Sequence, residues 1–315
     1  MVDGGSEMKT AIKADNLHKS YGARQAVRGI SFEVPEGCVY GFLGPNGAGK
    51  TSTLRMLMDI IRPDRGEIEI LGSRDIARIR PKIGYLPEEK GLYKSMTAIS
   101  FMTYLGVLKG MNSSHARRVA LDYLDQFQMA DYAKTRLSAM SKGQGQKIQF
   151  LSSILHDPEI IIFDEPFSGL DPVNQQSLER LIQKLASDGK TVIFSTHVMQ
   201  HAERLCDRFL LISSGQKVFD GDLAAARDLL PHKAVISGDK SLEPLKSLAG
   251  VRGLVPGLDS TRAGAGDSKW ELIMDKDVSP HQILEFCYKN QIGINHFEFS
   301  KPALHDVFVH LVENG

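Results

Sequence analysis

Gly44-Pro45-Asn46-Gly47-Ala48-Gly49-Lys50-Thr51 decides the fold of this chain, with a second stretch far downstream, Ile160-Ile161-Ile162-Phe163-Asp164-Glu165-Pro166, completing the reading. The first fits G-x-x-x-x-G-K-[ST], whose glycines let the backbone wrap closely around phosphates and present its N–H groups to them. In that pattern Lys50 reaches the β- and γ-phosphates and Thr51 ligates Mg²⁺. The apolar run Cys38 to Leu43 before the loop suits a buried strand, and Ser52 to Met58 after it reads as a helix. Strand, glycine loop and helix N-terminus together favour an anion, because unpaired N–H groups and the helix dipole converge there.

In the second stretch an apolar strand ends in Asp164, whose carboxylate is expected beside the phosphate loop, holding Mg²⁺. Glu165, next along the chain, is placed to act as general base or to orient the attacking water. His197 follows a further apolar strand, Thr191 to Thr196. An imidazole at a strand end can donate to a γ-phosphate oxygen and stabilise charge in the transition state.

Lysine plus arginine equal aspartate plus glutamate at 38 each in 315 residues, so no net field argues for nucleic acid or an acidic membrane surface. Cys38, Cys206 and Cys287 are odd in number and lack C-x-x-C spacing, which favours buried thiols in a reducing compartment over disulfides or zinc. Residues 1–8 read as a disordered tail without the apolar core of a signal peptide, and Met8 is a candidate start. No apolar run approaches the ~20 residues of a membrane span, so the chain is expected to be soluble by itself.

From Thr10 to about Asp222 the pattern is read as alternating strands and helices, an α/β domain over 9–222. The strand candidates are Val39 to Leu43, Ile83 to Leu86, Ile160 to Asp164, Thr191 to Thr196 and Phe209 to Ser213. Between about 95 and 153 no strand-like run occurs. Phe101, Tyr104, Leu105 and Leu108, and then Val119, Leu121, Leu124 and Phe127, recur at helical spacing, predicting a helical lobe inserted in the core. Residues 223–315 read as a small α+β accessory domain, with strands at Lys269 to Met274 and Ile292 to Phe299 and helices at Pro280 to Asn290 and Pro302 to Glu313. Gly257 to Asp267 within it has the composition of an exposed loop.

The phosphate loop, Met140-Ser141-Lys142-Gly143-Gln144, Asp164-Glu165-Pro166, Ser168-Gly169-Leu170-Asp171 and Ser195-Thr196-His197 resemble, in order and spacing, an ATP-binding subunit of ABC transporters over about Lys9 to Asp222. The resemblance implies a P-loop NTPase core of ABC ATPase type with an inserted helical lobe. Glu165 then looks like the family's Walker B glutamate, Asp171 belongs to its D-loop, and His197 is similar to its switch histidine. Tyr21 stands where the family carries an aromatic that stacks on adenine. Gly44, Pro45, Asn46, Gly47, Ala48, Gly49, Lys50, Thr51 and Ser52 correspond to the nucleotide-binding loop.

By the same resemblance, Ser141, Gly143 and Gln144 form the signature that holds the γ-phosphate bound to the opposite subunit, at the start of a helix near Gln144. Here methionine and lysine replace the family's leucine and first glycine, and Lys142 either adds positive charge near that phosphate or points to solvent. Glu88, in Tyr85-Leu86-Pro87-Glu88, stands where the family usually has glutamine; it can still meet Mg²⁺ through oxygen but has no amide N–H to donate.

The implied function is ATP binding and hydrolysis, with ATP and Mg²⁺ as ligands, powering movement across a membrane through separate integral-membrane permease chains. A second ATP-binding subunit, identical or not, is required, and the location is the cytoplasmic face of the membrane. Tyr-Leu-Pro-Glu, Ser-Lys-Gly-Gln and the closing Lys301 to Phe308 resemble the exporter branch most nearly, and a groove near Glu88 to Tyr93 is expected to receive a short permease helix. The competing reading is a soluble ABC ATPase acting on ribosomes or nucleic acid, but the second cassette, coiled-coil insertion and basic arms of such proteins are not visible in the sequence. For the last domain, bracing of the dimer competes with binding of a regulatory ligand; His281, His296, His305 and His310 lack tight metal spacing.

Overall fold

The computed structural model describes residues 9–88, 93, 95–256 and 269–313. The expected tail 1–8, residues 89–92 of the expected groove and the loop Gly257 to Asp267 lie outside the described residues. The chain divides into two compact units, one ending at Asp222 and the other beginning at Leu223.

In the first unit the elements run β1 (Thr10–Tyr21), β2 (Arg24–Pro35), β3 (Val39–Leu43), α1 (Lys50–Leu57), β4 (Arg65–Ile70), α2 (Ile76–Ile79), β5 (Ile83–Leu86), α3 (Ala98–Leu108), α4 (Ser113–Gln126), α5 (Lys142–Ile154), β6 (Ile160–Phe163), α6 (Pro172–Ser187), β7 (Thr191–Thr196), α7 (Met199–Leu205), β8 (Arg208–Ser213) and β9 (Gln216–Gly221). The main sheet has the order β5-β6-β7-β3-β8-β9, parallel except for β9 at its edge. β3 sits inside this sheet, so the loop that follows it opens at the carboxyl edge between β7 and β8, where open α/β sheets bind ligands.

The strands read as unbroken apolar runs because both faces are covered. Side chains alternate between faces with a period of two. Tyr40, Phe42, Ile160, Ile162 and Ile193 enter one core with Leu54 and Leu57 of α1, whereas Val39, Ile161, Phe163, Val192 and Phe194 enter the other with α5 and α6.

The first 70 residues depart from the expected alternation. β1, β2 and β4 form a separate antiparallel sheet, ordered β2-β1-β4. These strands escaped the sequence reading because one face is largely exposed and the pairing carries several register shifts, one beside Asn16 at φ 48°. Buried positions in β1 fall at Ala11, Ile12, Ala14 and Leu17, which no single period describes.

In the helical lobe, Thr97 and Asn112 cap α3 and α4 with side-chain oxygens that accept from Ser100 N and Ser114 N. Ala116, Ala120 and Leu124 form the buried stripe of α4 at i, i+4 spacing. The expected apolar stripes are only partly core: Phe101 and Leu124 are buried, while Tyr104, Leu108 and Leu121 are exposed. A Cβ at Gly106 would lie 2.9 Å from the Ala116 side chain, so α3 meets α4 through small residues and turns Tyr104 and Leu108 outward. Helix α5 starts at Lys142 rather than near Gln144, with Ser141 as its cap.

The second unit contains α8 (Leu223–Arg227), β10 (His232–Gly238), β11 (Val251–Pro256), β12 (Trp270–Met274), α9 (Pro280–Lys289), β13 (Ile294–Ser300) and α10 (Leu304–Glu313). Its antiparallel sheet has the order β11-β12-β10-β13, with Ala234, Ile236, Leu272, Met274, Ile283 and Cys287 in its core. β10 and β11 are additions to the strands expected from sequence.

Phe163 stacks on Phe150 of α5 with ring centroids 4.4 Å apart and joins the lobe to the main sheet. Phe163→Ala is expected to destabilise the first unit by about 3–5 kcal/mol, read as a lower urea midpoint for its unfolding transition.

Candidate functional site

The register of the main sheet assembles the site. Phe42 pairs with Ser195 and Leu43 with Thr196, while Phe163 pairs with Phe194, so Asp164 and Ser195 stand level where β6 and β7 end. Ser195 Oγ donates to Asp164 Oδ1 at 2.6 Å, and Thr51 Oγ1 donates to the same oxygen at 3.1 Å. Asp164 is 1% exposed and its Oδ2 has no hydrogen-bond partner. Burial pushes its carboxyl above the usual carboxylate range, against the pull of the Ser195 and Thr51 hydroxyls.

The phosphate loop needs its glycines. Gly44 has φ 149° and a Cβ there would run into the Ile212 carbonyl; Gly49, at φ 111°, would bring a Cβ within 2.5 Å of the Ala26 carbonyl. Gly49 precedes α1, and the loop is therefore pressed against β2 and β8 with no room for side chains. Lys50 is buried, and its Nζ donates to the carbonyls of Gly44 at 2.8 Å and Pro45 at 3.2 Å.

Glu165 adopts φ 46°, a left-handed conformation costly for a residue with a Cβ, and its N–H donates to Ser195 Oγ at 2.8 Å. Its Oε1 lies 3.4 Å from Lys50 Nζ and its Oε2 3.0 Å from His197 Nδ1. Lys50, Glu165 and His197, read from three distant segments, thus form one connected chain.

A cleft of about 540 Å³ opens over the loop, walled by residues 46–52 with Tyr21, Arg24, Ala26, Glu88 and Glu165. Tyr21 is 48% exposed, with its hydroxyl 3.5 Å from Ser52 Oγ. Ser141, Gly143 and Gln144 take no part in this wall. Ser141 Oγ accepts from Gln144 N at 3.2 Å and Gln144 Oε1 accepts from Ser141 N at 2.9 Å, a capping box that fixes the start of α5. Gly143 faces Asn174, and Lys142 is exposed and lies against Gly169. Asp171 caps α6, accepting from Asn174 N at 2.9 Å and Asn174 Nδ2 at 2.6 Å.

Three contributors were missed in the sequence. Ser195 stands within the Ser195-Thr196-His197 motif with no task assigned to it there, although its hydroxyl serves both Asp164 and Glu165. Gln146 of α5 donates to the Pro166 carbonyl at 2.5 Å, tying α5 to the turn after Glu165. Arg24 donates through Nη2 to the Gly47 carbonyl at 3.1 Å; a lone arginine in a hairpin carries no sequence signal.

The residues fit Mg²⁺ bound with a phosphate. Among the described residues no group of three or more His, Cys, Asp or Glu forms a cage. Mg²⁺ needs none, because it keeps water and takes one or two protein oxygens with substrate phosphates. The buried Asp164 Oδ2 and the neighbouring Thr51 hydroxyl offer that chemistry.

Behind the site, His201 is buried, with its ring 4.1 Å from that of Phe167, and burial pushes its imidazole down from 6.5 to about 4. Burial does the same to His156. Between those values the unfolded chain takes up protons that the folded chain refuses. Stability therefore falls as pH drops from about 6.5 to about 4, by up to about 3 kcal/mol per histidine. Urea unfolding across that range should show the slope, and His201→Phe should reduce it.

A sequence profile described as ABC transporter matches residues 27–168. The uncharacterized ABC transporter ATP-binding protein YhaQ of Bacillus subtilis strain 168 is 36% identical over 302 residues, 96% of this chain and 98% of the relative. The Nod factor export ATP-binding protein I of Paraburkholderia xenovorans strain LB400 is 36% identical over 216 residues, 68% of this chain and 71% of its own. A solved ATP-binding subunit of an ABC transporter superposes with a TM-score of 0.64 at 28% identity, covering 69% of this chain and 92% of that one. A dimeric post-hydrolysis ATP-binding cassette bound to ADP and Pi gives 0.63 at 25% identity, covering 67% and 98%. Similarity that runs the length of both this chain and YhaQ, over a core that superposes on solved cassettes, shows that the chain belongs to the ABC transporter family, among its ATP-binding ATPase subunits.

Proposed function

We propose that the chain hydrolyses ATP to drive substrate across a membrane, in the export direction, through separate permease chains, and that it works as a pair. The observation that carries the reading is the connected chain Lys50–Glu165–His197 at the mouth of the phosphate loop. Glu165 Oε1 is buried without a hydrogen-bond partner, the condition of a carboxylate ready to accept a proton from, or orient, an attacking water. Its partner His197 holds the other oxygen, fixing the carboxylate and offering an N–H to a phosphate oxygen. Lys50 is expected to leave the Gly44 and Pro45 carbonyls for the β- and γ-phosphates. Thr51 and Asp164, with Glu88 nearby, are the residues that would hold Mg²⁺, which when bound neutralises phosphate charge. Tyr21, half-exposed beside Ser52, suits stacking against adenine.

Ser141, Gly143 and Gln144 lie outside the cleft wall, which supports their service to a second subunit's nucleotide; so does the likeness to a dimeric cassette. Export is supported by similarity to a protein named for Nod factor export. Among the described residues no helix is long and apolar enough to cross a membrane, so the conduit is assigned to partner chains met at the cytoplasmic face. A cleft of about 550 Å³, lined by Ile60, Tyr85, Leu105 and Leu108 together with Asp59, Arg80 and Lys109, supports a seat for a permease helix, with Tyr104 exposed on the helical lobe.

Glu165→Gln should lower ATP turnover by roughly 10²–10⁴-fold with ATP affinity little changed; turnover at the wild-type rate would remove the general-base assignment. Leu108→Glu should abolish co-purification in detergent with a polytopic partner while leaving ATP binding intact. Retained co-purification would move the docking site elsewhere.

A further inference from the structure

We propose that Arg24 is a second cation for the nucleotide's terminal phosphates, acting beside Lys50. The inference rests on the ATP-binding reading above and adds a phosphate ligand outside the loop motif. Arg24 opens β2 and pairs with Tyr21 across the hairpin. Its Nη2 donates to the Gly47 carbonyl at 3.1 Å, and a Cβ at Gly47 would lie 2.9 Å from that nitrogen, so the guanidinium rests on the loop backbone itself. That bond uses one of five N–H donors in a planar fork suited to phosphate.

Charge in the cleft wall gives Arg24 its role. Among the described residues that form the wall, the cations are Arg24 and Lys50 and the carboxylates are Glu88 and Glu165. Lys50 already meets the Gly44 and Pro45 carbonyls and lies 3.4 Å from Glu165. Without Arg24 the wall would hold one ammonium against two carboxylates, a poor host for a polyphosphate even with helix α1 behind it. Contact with the loop backbone selects the phosphate end of the ligand: Arg24 pairs with Tyr21 through its backbone, but its guanidinium rests on Gly47 inside the phosphate loop.

The test titrates the full-length chain and its Arg24→Ala, Arg24→Gln and Arg24→Lys variants with ATP, ADP and AMP by calorimetry. Arg24→Ala and Arg24→Gln should each weaken ATP and ADP by about tenfold, the loss of one charge-assisted hydrogen bond, and AMP by much less. Arg24→Lys should recover most of the loss, and added salt should shrink it. Equal weakening of all three nucleotides would assign Arg24 to base or ribose and overturn the proposal. So would Arg24→Gln behaving as wild type, which would make the residue a neutral bracket on Gly47. A wild-type chain that binds no nucleotide would instead sink the underlying ATP reading.

Discussion

The site depends on one buried carboxylate oxygen. Asp164 Oδ1 accepts from Ser195 at the end of β7 and from Thr51 at the start of α1, so a single atom ties two sheet strands to the helix that follows the phosphate loop. Hydrogen bonds to a charged acceptor are worth about 1.5–3 kcal/mol each, and losing either here would leave a desolvated charge. The same Ser195 hydroxyl receives the Glu165 N–H and holds that residue in its left-handed conformation. Glu165 then lies between Lys50 and His197 because its backbone leaves its carboxylate little choice. Geometry of this kind requires the one-residue register of β6 against β7, since a slip would move Asp164 away from Ser195.

What the sequence made legible follows from where the chain is buried on both sides. Val39–Leu43, Ile83–Leu86 and Thr191–Thr196 were read to the residue because doubly covered strands are continuous apolar runs. β1, β2 and β4 were not, because half-exposed, bulged strands break the period that the reading relies on. In α3, spacing alone could not tell which side of a mostly apolar helix faces the core; the close approach of Gly106 to Ala116 decides that, and it is a property of two segments at once.

For the site, the motif residues were legible because phosphate chemistry constrains their type and spacing. The structure brings the loop, Asp164, Glu165 and His197 together. The tasks of Ser195, Gln146 and Arg24 were hidden for a common reason: each acts through hydrogen bonds to residues remote in sequence, and no local pattern marks those bonds. Ser141 and Gln144 acquire a local task besides the one their motif implies, since their capping box sets the first turn of α5. A helix start already formed presents its N–H groups at no further ordering cost.

In the proposed pair the cleft is one side of a clamp, and Ser141 and Gly143 complete the site of another subunit. The most direct test is the dependence of ATP turnover per chain on protein concentration, measured for the wild-type chain at saturating ATP. If two chains complete each site, turnover per chain rises steeply with concentration and levels off once pairs are saturated, in step with ATP-dependent dimer formation by light scattering. Turnover per chain that stays constant down to concentrations where only monomer scatters would contradict it, and would make the cleft a self-sufficient enzyme.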